Sequence, residues 1–440
     1  MSPIVVDLLI ENADVIYTCA GAAPKCGQAQ RDTGLLAGAS IAASEGEIVF
    51  VGAAQDCRAA VAVSDSATVI DAAGCSVVPG FVDAHTHLVF AGDRGDELRQ
   101  RLAGATYAEI AAGGGGILKT VDATRHARED DLVRAALPRL AAMLGCGTTT
   151  AEVKSGYGLS TDAELRMLRA IRTLGSRQPI ELAATFMGAH EIPVEYRERR
   201  QDYVRTLIDD MLPAIQRERL AEWCDVFCER GVFTPEETRA ILEAAYRCGL
   251  KARVHADELA LSGGSAVAAE LGARSADHLI YVDEAHAARL RAAGVVATLL
   301  PAAAFYLKLG RFAPARMLIE QNVAVALGTD VNPGGGFTPS MPFVMTLACF
   351  AMNMTLEEAL VAATINAAAS IDRADRIGSL EVGKQMDAVI IDGALADIVR
   401  VGAPMVRQVI KRGQVVAGPH TKVSSVQLPV HPSTLARGEP

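Results

Sequence analysis

No stretch of the chain is apolar over the roughly 18 to 20 residues that a bilayer-spanning helix requires, so a transmembrane protein is not expected. The opening Met1-Ser2-Pro3-Ile4-Val5-Val6-Asp7 lacks the basic segment of a secretory leader. A paired cysteine framework is missing too. Nine cysteines, an odd number, are scattered at positions 19, 26, 57, 75, 146, 224, 228, 248 and 349, as reduced thiols are. Cys224 and Cys228, the closest pair, flank Asp225-Val226-Phe227 in what reads as a buried strand, where core packing explains them. Together these absences lead us to expect a cytoplasmic protein without a membrane partner. Nor is there an excess of basic charge: a net charge of -10, with acidic and basic residues mixed along the chain, argues against a nucleic-acid partner. Short internal repeats and low-complexity blocks are also lacking.

What is present is 440 residues, 50% hydrophobic and 21% charged, an ordinary globular composition with ample material for a large core. One catalytic barrel with a smaller companion domain fits that length. Residues 4 to about 70 carry short β-like runs separated by Gly, Asn and Asp turn signals, among them Leu8-Leu9-Ile10, Asp14-Val15-Ile16-Tyr17 and Ile48-Val49-Phe50-Val51-Gly52. The same character returns near the far end in Asp387-Ala388-Val389-Ile390-Ile391-Asp392, Val406 to Ile410 and Lys411 to Val416. The two ends are therefore expected to build one small β-sandwich, from residues 1–74 and 381–417, followed by an extended tail over 418–440.

Between them, over residues 75–380, apolar strands alternate with helices, the pattern of βα units around a parallel sheet. The strand candidates are Val77 to His85, Thr148 to Val153, Glu181 to Phe186, Cys224 to Phe227, Lys251 to His255, Ser275 to His278, Val295 to Leu300 and Val323 to Asp330. Eight is the number a TIM-like (β/α)8 barrel requires. The helices carry their own punctuation. Thr234-Pro235-Glu236-Glu237 offers an N-cap, a proline at N1 and a glutamate at N3, with Gly249 placed to terminate. Thr161-x-x-Glu164 and Thr355-x-x-Glu358 repeat the capping pattern.

Chemistry in such a barrel sits at the C-terminal strand ends, and polar residues fall there. The run Val78 to His87 closes on His85-Thr86-His87; if it is a strand, side chains two apart share a face and both imidazoles aim at one point. His255 ends the fifth strand, His278 the sixth and Asp330 the eighth. Singly, each has a plain alternative: a packed or solvated histidine pair, a helix-capping His255, a His278 under a loop, an N-capping Asp330. Five such residues at four strand ends outweigh those alternatives. Three neutral imidazoles and a carboxylate hold a divalent ion with a position left for water, and the ion brings the pKa of water down to about 7. Glu258, three residues after His255, is placed to act as general base, its alternative being a solvated carboxylate. His278 can stabilise a developing oxyanion. Lys154 is weighed as a carboxylated lysine bridging two ions, but it follows the second strand while the fourth ends in Phe227-Cys228-Glu229, so one metal is expected.

From about residue 75 to 415 the chain resembles the amidohydrolase superfamily of metal-dependent hydrolases. Within it the resemblance is to the imidazolonepropionase family, which carries out the third step of histidine degradation. The resemblance rests on Pro79-Gly80-Phe81-Val82-Asp83-Ala84-His85-Thr86-His87, Tyr107-Ala108-Glu109-Ile110 with Gly113 to Gly116, Glu152-Val153-Lys154-Ser155-Gly156-Tyr157-Gly158, Gly188-Ala189-His190, His255-Ala256-Asp257-Glu258 and Thr329-Asp330-Val331-Asn332-Pro333-Gly334. The first and last are widespread in the superfamily; the middle ones are more particular.

The resemblance implies hydrolysis of the ring amide of 4-imidazolone-5-propanoate to N-formimidoyl-L-glutamate. Zinc or iron would be held by His85, His87, His255 and Asp330, with Glu258 handling the proton and His278 and Asp330 assisting in catalysis. It assigns substrate contacts to Arg94, Tyr157, His190, Asn332 and Gly334, with Tyr107 as a further candidate, and suggests a homodimer. A propionate arm needs a cation, and the planar guanidinium of Arg94 suits a carboxylate; its alternative is a salt bridge with Asp93 or Glu97. One departure concerns Gly335, where the family often carries threonine or serine, so a hydroxyl contact is lost and only backbone contact remains there. The same metal set would also serve a mononuclear deaminase of a cytosine- or guanine-type ring. A barrel kept for assembly without catalysis is the third reading, against which the intact ligand set argues.

Overall fold

The computed structural model describes residues 3–418 apart from 106–108, 110–112 and 114. The expectations on Tyr107 and on the tail over 418–440, Gly418 excepted, lie outside the described residues. Among the described residues, sixteen strands form two eight-stranded sheets. In chain order they are β1 (Ile4–Tyr17), β2 (Leu35–Ser44), β3 (Glu47–Ala53), β4 (Val61–Asp71), β5 (Cys75–Pro79), β6 (Phe81–Asp83), β7 (Thr148–Lys154), β8 (Glu181–Ala189) and β9 (Trp223–Cys228). Then follow β10 (Lys251–Ala256), β11 (Ser275–His278), β12 (Val296–Leu299), β13 (Val325–Leu327), β14 (Ala388–Asp392), β15 (Val406–Lys411) and β16 (Gln414–Ala417).

Strands β6 to β13 pair in sequence order and all in parallel, with helices between them. They are buried from end to end with few exceptions, which is why their sequences read as continuous apolar runs rather than alternating ones. The barrel closes beyond the last ladder. The Thr329 N–H and hydroxyl donate to the Asp83 carboxylate at 2.9 and 2.5 Å. The Asp330 N–H donates to the His85 carbonyl, and the His87 N–H to that of Val331, each at 3.0 Å. First and eighth strands are thus stitched together by the residues that carry the polar groups of the barrel mouth.

The strands of the two termini form the second sheet, in the order β16-β15-β14-β5-β1-β2-β3 with β4 on β1. The expected sandwich is one continuous sheet curled on itself: β3 reaches the segment before β14 through the Ile48 N–H to the Lys384 carbonyl and the Gly383 N–H to that of Ile48, 2.8 and 2.9 Å. Leu8, Ile10, Ile41 and Ile48 from one end share a core with Val77, Ile390 and Ile410.

The run expected as a single strand from Val77 to His85 is divided. Cys75–Pro79 pairs with β14 and β1 in the outer sheet, and Phe81–Asp83 opens the barrel. The partner changes at the junction, where the Gly80 N–H donates to Asp387 and the Phe81 N–H to Gly147. The outer sheet therefore fixes the direction in which the first barrel strand starts. The capping boxes at Thr234 and Thr355 are formed. That at Thr161 is not: Ser160 occupies the cap position, and the Glu164 carboxylate accepts instead from the N–H groups of Gly156, Gly158 and Leu159, at 3.0, 2.7 and 2.8 Å. No helix among the described residues is long and apolar enough to cross a membrane.

Candidate active site

Separate segments bring the proposed ligands together at the barrel mouth. His255 lies within β10 and His278 ends β11, whereas His85, His87 and Asp330 stand two to four residues past their strands. That corrects their placement at strand ends. Asp330 and His278 take left-handed backbone, φ +52° and +73°, a conformation that costs energy in non-glycine residues and persists where surrounding contacts impose it. For Asp330 those contacts are the closing hydrogen bonds described above.

The Nε2 atoms of His85 and His87 are 3.3 Å apart and those of His87 and His255 3.2 Å. Asp330 Oδ1 lies 3.7 Å from His85 Nε2 and 3.6 Å from His87 Nε2. Four donors around a tetrahedral ion with bonds of about 2.0 to 2.1 Å stand about 3.3 Å apart, so the set has the dimensions of a metal site. His278 also brings a ring nitrogen within 4.8 Å of those of His85 and His255.

The far sides of two rings are committed. His85 Nδ1 bonds Asp277 Oδ2 at 2.7 Å and His255 Nδ1 bonds Asp225 Oδ2 at 3.0 Å, leaving the Nε2 lone pairs directed inward. Burial holds His85, His87 and His278 well below the usual imidazole range, so all three are neutral donors. Burial also raises the Asp330 carboxyl to about 8; a cation against it is what would keep it ionised. The donor types, spacing and charge fit a divalent ion.

The cavity in front of this cluster has a volume of about 430 Å³, in the range of small-molecule sites. His87, Arg94, Tyr157, His190, Glu258, His278, Asp330, Asn332, Gly334 and Gly335 all line it, with Ile117, Phe227, Leu259 and Leu307 as apolar wall. Glu258 stands 3.6 Å from His278 Nδ1, and burial, with Asp330 and Glu229 adding their charge, pushes its carboxyl up to about 8.

Arg94 does form the ion pair weighed as its alternative, donating to Glu97 from Nε at 2.9 Å. Yet the pair is buried and the guanidinium still faces the cavity. A Cβ on Gly334 would fall 2.1 Å from Arg94 Nη1, so a side chain there would displace the guanidinium from its present position. His190 stacks on His87 at 4.9 Å between centroids and 23° between planes, and Tyr157 packs beside it; burial and the neighbouring His255 ring bring His190 down to about 3. Asn332 spends its side chain on the loop itself: Oδ1 accepts from the N–H groups of Gly334 and Gly335, and Nδ2 donates to the Asp330 carbonyl. At Gly335 a side chain would meet Leu307 at 3.0 Å, so that residue fills the space beside the glycine.

Sequence reasoning missed Asp225 and Asp277, which orient the histidines, and Arg253, which donates to Asp277 at 3.0 Å. The signal was there in Asp225, a carboxylate inside the apolar strand Trp223–Cys228. Lys154 was weighed only as a metal bridge. Its ammonium lies 2.8 Å from both Glu152 Oε1 and Asp225 Oδ2, and although burial opposes its charge, these carboxylates hold it above the ordinary lysine value.

The amidohydrolase family model matches residues 76–416. The chain is 49% identical over 414 residues to the imidazolonepropionase of Symbiobacterium thermophilum, covering 93% of this chain and 97% of that protein. It is 45% identical to that of Alkaliphilus metalliredigens, covering 93% and 98%. Among solved structures it is similar in fold to the zinc complex of atrazine chlorohydrolase from Arthrobacter aurescens TC1, TM-score 0.72 at 18% identity over 95% of this chain and 97% of that one. It is also similar in fold to the guanine deaminase of E. coli, TM-score 0.67 at 17% identity over 93% and 99%. With its ligand geometry, its cavity and these relatives in hand, the chain belongs to the amidohydrolase family and, within it, to the imidazolonepropionases.

Proposed function

We propose that the protein hydrolyses the cyclic amide of 4-imidazolone-5-propanoate to N-formimidoyl-L-glutamate, the step its relatives serve in histidine degradation. The observation that carries this reading is one cavity holding a His-His-His-Asp cluster, a buried carboxylate beside it and a buried arginine at its wall. A single zinc or iron ion is the cofactor: His85, His87, His255 and Asp330 would hold it, and it would supply Lewis acidity and lower the pKa of water. Lys154 supports a single ion: its ammonium is paired to Glu152 and Asp225, whereas bridging two ions as a carbamate needs a free amine. Zinc and iron suit this donor set alike.

Arg94 takes the propionate carboxylate, fixing the distance from that arm to the ring. Tyr157 and His190 hold the ring over the cluster, and the loop of Asn332, Gly334 and Gly335 forms the opposite side. Glu258 accepts the proton of the attacking water and returns it to the ring nitrogen as the carbon–nitrogen bond breaks. His278 polarises the ring carbonyl and stabilises the charge that develops on its oxygen. Asp330, a ligand, also keeps Glu258 and the water in register.

An adenosine deaminase and a guanine deaminase of similar fold stand at 20% and 17% identity, against 49% and 43% for two imidazolonepropionases, so ring opening is favoured over loss of ammonia. The intact cluster speaks against a barrel without catalysis. A cytoplasmic setting, a substrate bearing a carboxylate and a homodimer go with this reading. The test follows loss of imidazolonepropionate absorbance with metal content measured on the same sample. Consumption without ammonia release supports the assignment; ammonia release from an aminated heterocycle, with imidazolonepropionate untouched, overturns it.

A further inference from the structure

Behind the cluster, away from the cavity, lies a buried group of charges that no step above uses. Lys154 Nζ is 2.8 Å from Asp225 Oδ2, 2.8 Å from Glu152 Oε1 and 4.0 Å from Asp277 Oδ2, every one of these side chains fully buried. Each carboxylate leads to a ligand. Asp225 receives His255 Nδ1 and the His255 N–H. Asp277 receives His85 Nδ1, with Arg253 on the same oxygen. Glu152 receives the Thr86 N–H at 3.3 Å, and the Lys154 N–H donates to the Thr86 carbonyl at 3.0 Å; Thr86 stands between His85 and His87.

We propose that Lys154 is a positioning residue, one ammonium that fixes the carboxylates behind His255 and His85 and the backbone between His85 and His87, so that the three Nε2 atoms converge. The physical need is plain. Three carboxylates gathered in a dry interior repel one another, and without a cation among them they spread apart. A carboxylate that swings away from Nδ1 no longer holds the ring, which is then free to turn or to take the other tautomer, whose Nε2 carries a hydrogen and cannot bind a metal. Arg253 reaches Asp277 but not Glu152 within salt-bridge distance, so it does not replace the lysine at the centre. Lys154 itself lines no part of the cavity and touches no reacting atom.

The inference rests on the metal reading above, and the experiment separates the two. Lys154→Met keeps the volume and removes the charge. Zinc affinity is measured by chelator competition on folded parent and variant, with the cobalt-substituted absorption spectrum recorded for each. We expect affinity to fall by about tenfold to a hundredfold, the cobalt spectrum to change, and kcat to drop in the zinc-saturated variant while KM stays within about twofold, as befits a residue outside the cavity. Should the single variant not fold, Glu152→Gln/Lys154→Met, which removes one charge of each sign, is examined in the same way. On the metal-free parent, nitrogen NMR of labelled histidine should show His85 and His255 as Nδ1–H tautomers. Parental zinc affinity in either folded variant, or mixed tautomers in the parent, overturns the role of Lys154; a parent that takes up no zinc or iron overturns the metal reading instead.

Discussion

Glu258 must be ionised to accept a proton, and burial with two neighbouring carboxylates holds it neutral up to about pH 8. A cation in the adjoining site favours ionisation, so kcat/KM should rise with pH along a limb centred at or below about 8. Glu258→Gln cannot take up the proton and is expected to lose about 10²- to 10⁴-fold in kcat while keeping its metal. A pH–rate profile with metal analysis checks both, and near-parental turnover in the glutamine variant refutes the role. Arg94→Lys should raise KM about tenfold with a smaller change in kcat, because an ammonium cannot bond Glu97 and a substrate carboxylate with the same planar geometry. An unchanged KM would place that carboxylate elsewhere. His85, His87, His255, Glu258 and Asp330 could be read from residue type and strand spacing, and Arg94 from the family resemblance. Asp277 and Arg253 could not, and Asp225 showed only as a carboxylate inside an apolar strand, since buried carboxylates and arginines inside strands also serve purely structural ion pairs.

The loop carrying Tyr157 shows what periodicity misses at the scale of an element. Thr161 and Glu164 have capping-box spacing, but Glu164 is turned back to three N–H groups of residues 156–159, because a tight loop offers three donors where a cap offers one. Glu164→Gln brings an amide against those donors and leaves at least one unpaired, at a cost of about 1–3 kcal/mol. We expect a lower melting temperature and a raised KM, since the loop that positions Tyr157 and supplies the Gly156 carbonyl to His190 loosens. A KM equal to the parent's in the destabilised variant would confine Glu164 to folding. The boxes at Thr234 and Thr355 were legible because their partners are local. The break of the first strand at Gly80 was not, because it depends on Asp387, some three hundred residues away.

Across the whole molecule, an ion held by His85, His87, His255 and Asp330 would link the first, fifth and eighth strand segments, so its removal should be felt as stability. The folded-state values of Glu258 and Asp330 are raised to about 8 from ordinary values of about 4. Stability tied to a raised carboxyl is full below the unfolded value and is lost as pH climbs through the folded one. Chelated protein should therefore melt on the order of 5 °C lower at pH 8 than at pH 5, and excess zinc should close that gap, as scanning fluorimetry in chelator and in zinc would show. A flat profile in chelator would refute the paired burial of these carboxyls.

What the sequence by itself determined is the alternation of apolar strands and helices, and so the barrel, together with the residue types at its mouth. Solvent transfer and local hydrogen bonding set those patterns, and both are written in neighbouring residues. Only the tertiary structure decided which nitrogen of each histidine faces inward, that Asp330 bends back to close the barrel, and that Leu307 stands against Gly335. Those outcomes depend on charges and backbone groups that meet only when distant segments are brought into one dry interior, where each must find its partner.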